Sequence, residues 1–416
     1  GSPILSSLPR LDQVETEKKV MMLFFVIGLC VCVGESRYDF SQLRHYLDST
    51  ANFSGNLSLT VGDSDGILFE YHNVNMTPDV VLPLASGSKW PAVTALVACF
   101  AKNKIDYDTK MADILDWWTS EQNDTRSEVT LRHVLSMTTG MISDDDGDKA
   151  SRAWNLCSLR GKKNFDECAQ KMFLATSNGH VYTEPGVQFI YSSYGFQWAA
   201  AAAQVIDNAT IGAILNTYVL SPAGMKPECD WANSDSLPLL GGGLSCSARK
   251  LDKFVHAMLT DKLIDTKTRL EMETIQTKPS MLGSATLFWG PYCFGNWLVC
   301  LNNMRFNRPM PTQCLRAKRH GHPGCFGYYN YVDRVRNIYF NMLPSYTCSP
   351  SNNFCDSPTG SSNCPQLYGT AQTVYHTINR YLDDIFDYTF SSDNQDDGIY
   401  TFDSRSVPSS QWATSL

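Results

Sequence analysis

Ser86-Gly87-Ser88-Lys89 places a hydroxyl and an amine three positions apart, where an extended run gives way to a helical one. On a helix, positions i and i+3 share a face, so the Ser86 hydroxyl and the Lys89 amine can meet within hydrogen-bond reach. A serine hydroxyl alone is a poor nucleophile. A neighbouring amine held neutral by burial can take its proton, and a helix N-terminus favours the negative charge that develops during acyl transfer. The chemistry these residues could do is nucleophilic attack on an ester or amide carbonyl.

The four letters also occur by chance, and a second S-x-x-K stands at Ser247-Ala248-Arg249-Lys250. Context separates the two. Ser86 follows the apolar run Val80 to Ala85 and precedes Ala92 to Phe100, which reads as extended chain, turn, then buried helix. Ser247 follows Gly241-Gly242-Gly243-Leu244 and opens an amphipathic helix, the setting of an N-cap.

The elements that must position Ser86 follow from periodicity. Residues 37–50 read as an amphipathic helix with Phe40, Leu43 and Leu47 on one face. Leu57 to Asn73 alternates around Asp63-Ser64-Asp65-Gly66, a hairpin pattern. Residues 86 to about 275 read as mostly helical. Strands return at Ala285–Trp289, Phe294–Cys300, Gly324–Val332 and Asn337–Leu343, and Thr370–Phe386 closes as a helix. Strands at both ends and helices between them predict an α/β architecture of the α+β type. One antiparallel sheet would take strands from both chain ends, and a mainly helical subdomain would be inserted between them.

Bulk properties narrow the function. The 416-residue chain is 43% hydrophobic and 12% aromatic, enough for a substantial core, with 18% charged residues and a net charge of −8. Nothing here suits nucleic acid. The basic runs Arg160–Lys163 and Arg316–Arg319 read as solvated surface. Lys18-Lys19 followed by the apolar run Val20 to Val33 reads as a secretory signal, cleaved after Gly34, with an uncleaved signal-anchor as the rival. Cleavage there removes Cys30 and Cys32 from the 14 cysteines and leaves an even twelve. Cys157/Cys168, Cys293/Cys300 and Cys348/Cys355/Cys364 are the candidates for pairing, while Cys99 reads as a core thiol. Sequons at Asn52, Asn56, Asn75, Asn123 and Asn208 agree with a glycosylated secretory protein. Residues 1–34 are then tail and signal, 35–388 one catalytic domain and 389–416 an acidic, disordered tail. The expected location is outside the cell or in a secretory, vacuolar or lysosomal lumen, with no membrane contact after cleavage.

Five segments, in order, resemble the serine β-lactamase-related family: class C β-lactamases, penicillin-binding D-Ala-D-Ala carboxypeptidases and related esterases. Ser86–Lys89 is similar to its S-x-x-K, Val129–Met141 to its T-I-R-H-L-L-S-H-T-S-G-L turn, and Pro185–Gly195 to its P-G-x-x-F-x-Y-S-N-x-G. Gly241–Leu251 is similar to its A-G-G-L-x-S-T-A-x-D-L, and His320–Gly324 to its G-H-x-G, where β-lactamases carry K-T-G. The resemblance implies the family's β-lactamase/transpeptidase fold and no metal or cofactor. It implies Ser86 as acylated nucleophile, Lys89 as its base, Tyr191 as second general acid/base, and the backbone N–H groups of Ser86 and Cys325 as the oxyanion hole. Ser193, His322 and Gly324 would meet substrate, with His322 on the strand that pairs with it. Two departures stand out. The family's Tyr-x-Asn is Tyr191-Ser192-Ser193 here, and the K-T-G lysine position holds His322. Both weaken recognition of a substrate amide and carboxylate, and so point from antibiotics toward other esters or amides, by hydrolysis or acyl transfer. A non-catalytic scaffold of the same fold is the alternative.

Overall fold

The computed structural model describes residues 38–49, 56–73, 76–142, 148–159, 164–176, 182–231, 236–281, 290–299, 318–345 and 364–386. The chain divides into two compact units, Gly1–Asp39 and Phe40–Leu416, and the elements below belong to the second.

The larger sheet joins the two ends of this unit. Strands β1 (Asn56–Asp63) and β2 (Ile67–His72) form the expected hairpin. On its other side β1 pairs along its whole length with β9 (Ile338–Ser345), from Asn56↔Ser345 to Asp63↔Ile338. With β6 (Trp297–Leu298), β7 (Arg319–Gly321) and β8 (Tyr329–Asp333) the order is β2-β1-β9-β8-β7-β6, antiparallel throughout.

The alternation of side chains sorts the faces. Thr60, Asn341 and Asn330 stand side by side across β1, β9 and β8, and this buried polar row faces helix α8 (Ala248–Leu259). The neighbouring row, Val61, Phe340 and Tyr331, belongs to the opposite face. There Tyr331 stacks on Phe340 at 5.1 Å, and Tyr375 of α10 (Cys364–Ile385) packs on Tyr329, Tyr331 and Phe340. Helix α1 (Ser41–Ser49) buries Leu43 and Leu47 and meets α10 through Tyr46 and Tyr381.

Between the strands the chain builds α2 (Lys89–Lys102), α3 (Leu131–Leu135), α4 (Lys149–Leu159), α5 (Phe165–Ala175), α6 (Phe196–Asp207), α7 (Ile211–Leu215) and α9 (Thr266–Met272). Every residue of α2 from Lys89 to Phe100 is buried, so it is the central helix rather than an amphipathic one. Cys157–Cys168, one of the expected pairings, joins α4 to α5.

Four expectations change. The middle of the chain, expected to be mainly helical, also holds strands: among the described residues β3 (Val81–Pro83), β4 (Asp230–Trp231) and β5 (Leu244–Ser247) form a second sheet in the order β3-β5-β4, beside the expected sheet from both chain ends. These strands span two to four residues each, too short for alternation to register. The second disulfide is Cys229–Cys246, which the spacing did not single out, and it ties β5 to the turn before β4. Cys293 keeps a buried thiol hydrogen-bonded to the Glu273 carbonyl, so the Cys293/Cys300 pairing is overturned; Cys300 lies outside the described residues. Arg319 is 2% exposed and ion-paired to Asp333 and Asp383, so its run is not solvated surface there. Cys99 is a buried thiol, as expected.

Asn123 and Asn208 are exposed and Asn56 begins β1, while Asn52, Asn75, the signal-like segment, Ala285–Trp289 and the acidic tail lie outside the described residues. Among the described residues no single helix is long and apolar enough to cross a membrane.

Candidate functional site

The Ser86 turn is held from below. Leu84 N–H donates to Leu244 O at 2.9 Å, and β3 pairs with β5 through Pro83↔Ser245. Ala85 takes φ +48°, a left-handed conformation that few non-glycine residues adopt, and the chain then tightens into a 3-10 turn, Ala85–Ser88, that runs into α2. Ser88 locks the turn: its hydroxyl donates to Ala85 O at 2.6 Å and accepts from Leu244 N at 2.9 Å. Gly87 lies against the Tyr328 ring, where a Cβ has no room.

This turn leaves Ser86 half-buried and Lys89 fully buried. Lys89 Nζ reaches Ser86 Oγ at 3.0 Å, Ser193 Oγ at 3.2 Å and Gly241 O at 2.7 Å. All three acceptors are uncharged. The i, i+3 meeting anticipated from spacing is therefore present as a hydrogen bond.

Tyr191 and Ser193 arrive on the segment before α6. Ile190 N–H donates to Met137 O at 2.9 Å, and Ser192 Oγ, turned inward, accepts from Tyr194 N and Gly195 N at 3.0 and 3.2 Å. This Ser-turn presents the residues on either side of Ser192 to the site. Lys89 Nζ lies 4.5 Å from the centroid of the Tyr191 ring, a cation–π contact. Ser193, expected to meet substrate, has its hydroxyl on Lys89.

The third segment follows β7. Gly324 presses on the Leu84 carbonyl and Gly87 N so closely that only glycine fits, which brings the β7–β8 connection, with half-exposed Cys325 next in sequence, against the Ser86 turn. His322 is 1% exposed. Its backbone N–H donates to Asn330 Oδ1 at 2.9 Å, and Asn330 Nδ2 donates to the Tyr328 hydroxyl at 2.8 Å. The ring that underlies Gly87 is thus tied to the His322 backbone. His322 Nδ1 bonds Pro323 O at 2.9 Å, so Nδ1 carries the proton. Burial, and next the Lys89 charge, hold its pKa well below the usual imidazole range, against the opposing pull of the Pro323 carbonyl. His322 is neutral. The outer side of β7 is occupied by β6 through Trp297↔Gly321 and Leu298↔His320, so the strand expected to pair with substrate is already paired up to Gly321.

Sequence reasoning missed several residues here. Phe189, Tyr292 and Trp297 crowd Tyr191 and His322, with Tyr191 and Trp297 near parallel at 6.2 Å. Nothing but an apolar run marked Trp297. Gly241 was singled out for its glycines, whereas its carbonyl is what meets Lys89. Ser247 stands apart. It lies on β5 opposite Val81 of β3, sits at the N-cap position of α8 without a side-chain capping bond, and Lys250 of the same motif bonds Glu228 and Gly224 O. Among the described residues no three His, Cys, Asp or Glu side chains converge as metal ligands.

The family profile described as Beta-lactamase matches residues 55–347. No curated protein matches the chain. Among solved structures, a candidate beta-lactamase from Bacteroides dorei superposes with a TM-score of 0.59 at 19% identity, covering 82% of this chain and 99% of that one. EstCE1, a hydrolase with promiscuous acyltransferase activity, gives 0.57 at 14% identity over 80% and 96%. An octameric penicillin-binding protein homologue from Pyrococcus abyssi gives 0.54 at 14% identity over 75% of each chain. At such identities the likeness is one of fold.

Proposed function

The chain belongs to the beta-lactamase family, and on that premise we propose that it is a serine hydrolase working through an acyl-enzyme on Ser86. The observation that carries this reading is the 3.0 Å contact between Lys89 Nζ and Ser86 Oγ at a fully buried lysine. With the amine neutral, the same line carries the Ser86 proton to Lys89 as Oγ attacks the carbonyl carbon of an ester or amide. The backbone N–H groups of Ser86 and Cys325 hold the oxyanion; each such donor contributes about 3–4 kcal/mol. Tyr191, facing the Lys89 ammonium, passes the proton to the departing alcohol or amine. Water, or another acceptor, then attacks the Ser86 ester along the reverse route. The hydrolase and acyltransferase activity of EstCE1 supports both outcomes.

Substrate lies away from β-lactams in this reading. Ser193 is engaged by Lys89, and a neutral His322 offers no charge to a carboxylate. The two disulfides support work in an oxidising compartment, and we place the protein in the secretory lumen or outside the cell.

Intact-mass analysis after fluorophosphonate treatment, with peptide mapping, tests the proposal. One adduct on Ser86, lost in Ser86→Ala and kept in Ser247→Ala, is the expected result. Folded protein with no adduct would instead support a non-catalytic scaffold.

A further inference from the structure

Five rings cluster beside Lys89: Phe189, Tyr191, Tyr292, Trp297 and His322. Tyr292 and Trp297 meet edge to face at 4.7 Å, Phe189 lies 5.1 and 5.5 Å from those two, and His322 lies 6.0–6.2 Å from Tyr191, Tyr292 and Trp297. Only Tyr191 of the five is partly exposed.

Two polar atoms in this cluster are buried and have no hydrogen-bond partner among the described residues: His322 Nε2 and the Tyr292 hydroxyl. They do not bond each other. Buried polar atoms in folded proteins are nearly all paired, and these two stand in one aromatic cluster beside the proposed nucleophile. Their chemistry is fixed. Because Nδ1–H is committed to Pro323 O, Nε2 presents a lone pair and can only accept. A phenol hydroxyl donates or accepts. A lone pair repels a carboxylate and welcomes a donor.

We propose that His322 Nε2 and the Tyr292 hydroxyl form a subsite for an uncharged substrate group that carries a hydroxyl or N–H and packs on aromatic rings, and that the subsite rejects carboxylates. This rests on the acyl-enzyme reading and names the substrate class for it: aromatic or apolar esters or amides with a hydroxyl or amide donor.

The test compares three matched methylumbelliferyl esters: phenylacetyl, para-hydroxyphenylacetyl and para-carboxyphenylacetyl. A second series places the same three rings in the alcohol, as benzyl acetates. In one series kcat/KM for the hydroxylated member should exceed the unsubstituted member by about tenfold or more, and the carboxylated member should be slowest. Tyr292→Phe, which keeps the ring and the His322 acceptor but removes the second polar atom, should lower that ratio, and an unchanged ratio would overturn the pairing of the two atoms in one subsite. Binding is read separately in Ser86→Ala, where the part of the intrinsic tryptophan fluorescence that is lost in Trp297→Phe should respond to hydroxybenzyl acetate at lower concentration than to benzyl acetate. Ser86 labelling by fluorophosphonate with no hydroxyl preference in either series, or with carboxylates preferred, overturns the subsite and leaves the acyl-enzyme reading standing. No labelling of Ser86 overturns that reading and the subsite with it.

Discussion

Lys89 donates to the Gly241 carbonyl at 2.7 Å, while Gly241 itself lies so close to the Ser193 backbone that a Cβ has no room. One close approach therefore sets two acceptors of Lys89, Gly241 O and Ser193 Oγ. Gly241→Ala should push the two segments apart, destabilise the fold by about 1–3 kcal/mol, and slow fluorophosphonate labelling of Ser86 by about tenfold or more. Gly242→Ala is the control, since its Cβ would meet only Leu239 Cδ2 at an ordinary 3.8 Å. Equal labelling rates in the two variants would count against Gly241 as a positioning residue.

The reach from Ser86 to Lys89 was legible because it is local: three residues on one turn fix the distance. So was the joining of both chain ends in one sheet, since β1, β8 and β9 are long enough for alternation to register. What makes the site particular was not legible. Trp297 sits on a two-residue strand, Tyr292 in an isolated bridge, and Gly241 acts through a backbone carbonyl that has no residue-type signature. Arg319 looked like surface because its partners are 14 and 64 residues away, at Asp333 and Asp383. Long-range pairing of that kind leaves no local pattern.

Asp252 on α8 accepts from Thr60 at 2.9 Å and Asn341 at 2.6 Å and lies buried under the sheet. Burial pushes its pKa up from 3.8 to about 7; the Asn341 and Thr60 hydrogen bonds and Arg249 oppose that, and Glu70 adds to it. A raised carboxyl pKa favours the protonated folded state. Its contribution is complete below the unfolded value, declines as pH rises, and is lost above about pH 7. The difference corresponds to about 4 kcal/mol across that window. Asp252→Asn should therefore be more stable than the parent at pH 8, with a flatter stability profile between pH 4 and 8. Denaturant titrations at several pH values read this directly, and an unchanged slope would refute the assignment.

Cys229–Cys246 closes a loop of separation 17 and ties β5, the strand beneath Ser86, to the turn before β4. Loop closure of that length contributes about 3 kcal/mol. Cys229→Ala/Cys246→Ala should lower Tm and make the melt less sensitive to reductant than the parent's. Cys157–Cys168, with separation 11, joins α4 to α5 away from β5. Its removal should lower Tm while changing the Ser86 labelling rate less than loss of Cys229–Cys246 does.

Arg319 bridges the sheet and the last helix, at 2.9 Å from Asp333 on β8 and 2.8 Å from Asp383 on α10. Arg336 shares both carboxylates, at 2.7 Å from Asp383 but only 3.8 Å from Asp333. Asp333 has no exposed side chain and also accepts from Val335 N and Arg336 N, so it holds the β8–β9 turn as well. Removing one partner of a buried pair strands the other charge. Arg319→Met should cost about 3–5 kcal/mol for that reason. Arg319→Met/Asp333→Asn, which keeps an acceptor for the turn and removes the stranded charge, should recover part of the loss. Denaturant unfolding of the parent, both single variants and the double variant gives the coupling energy. A double variant as unstable as the sum of the singles would show that the two side chains act independently.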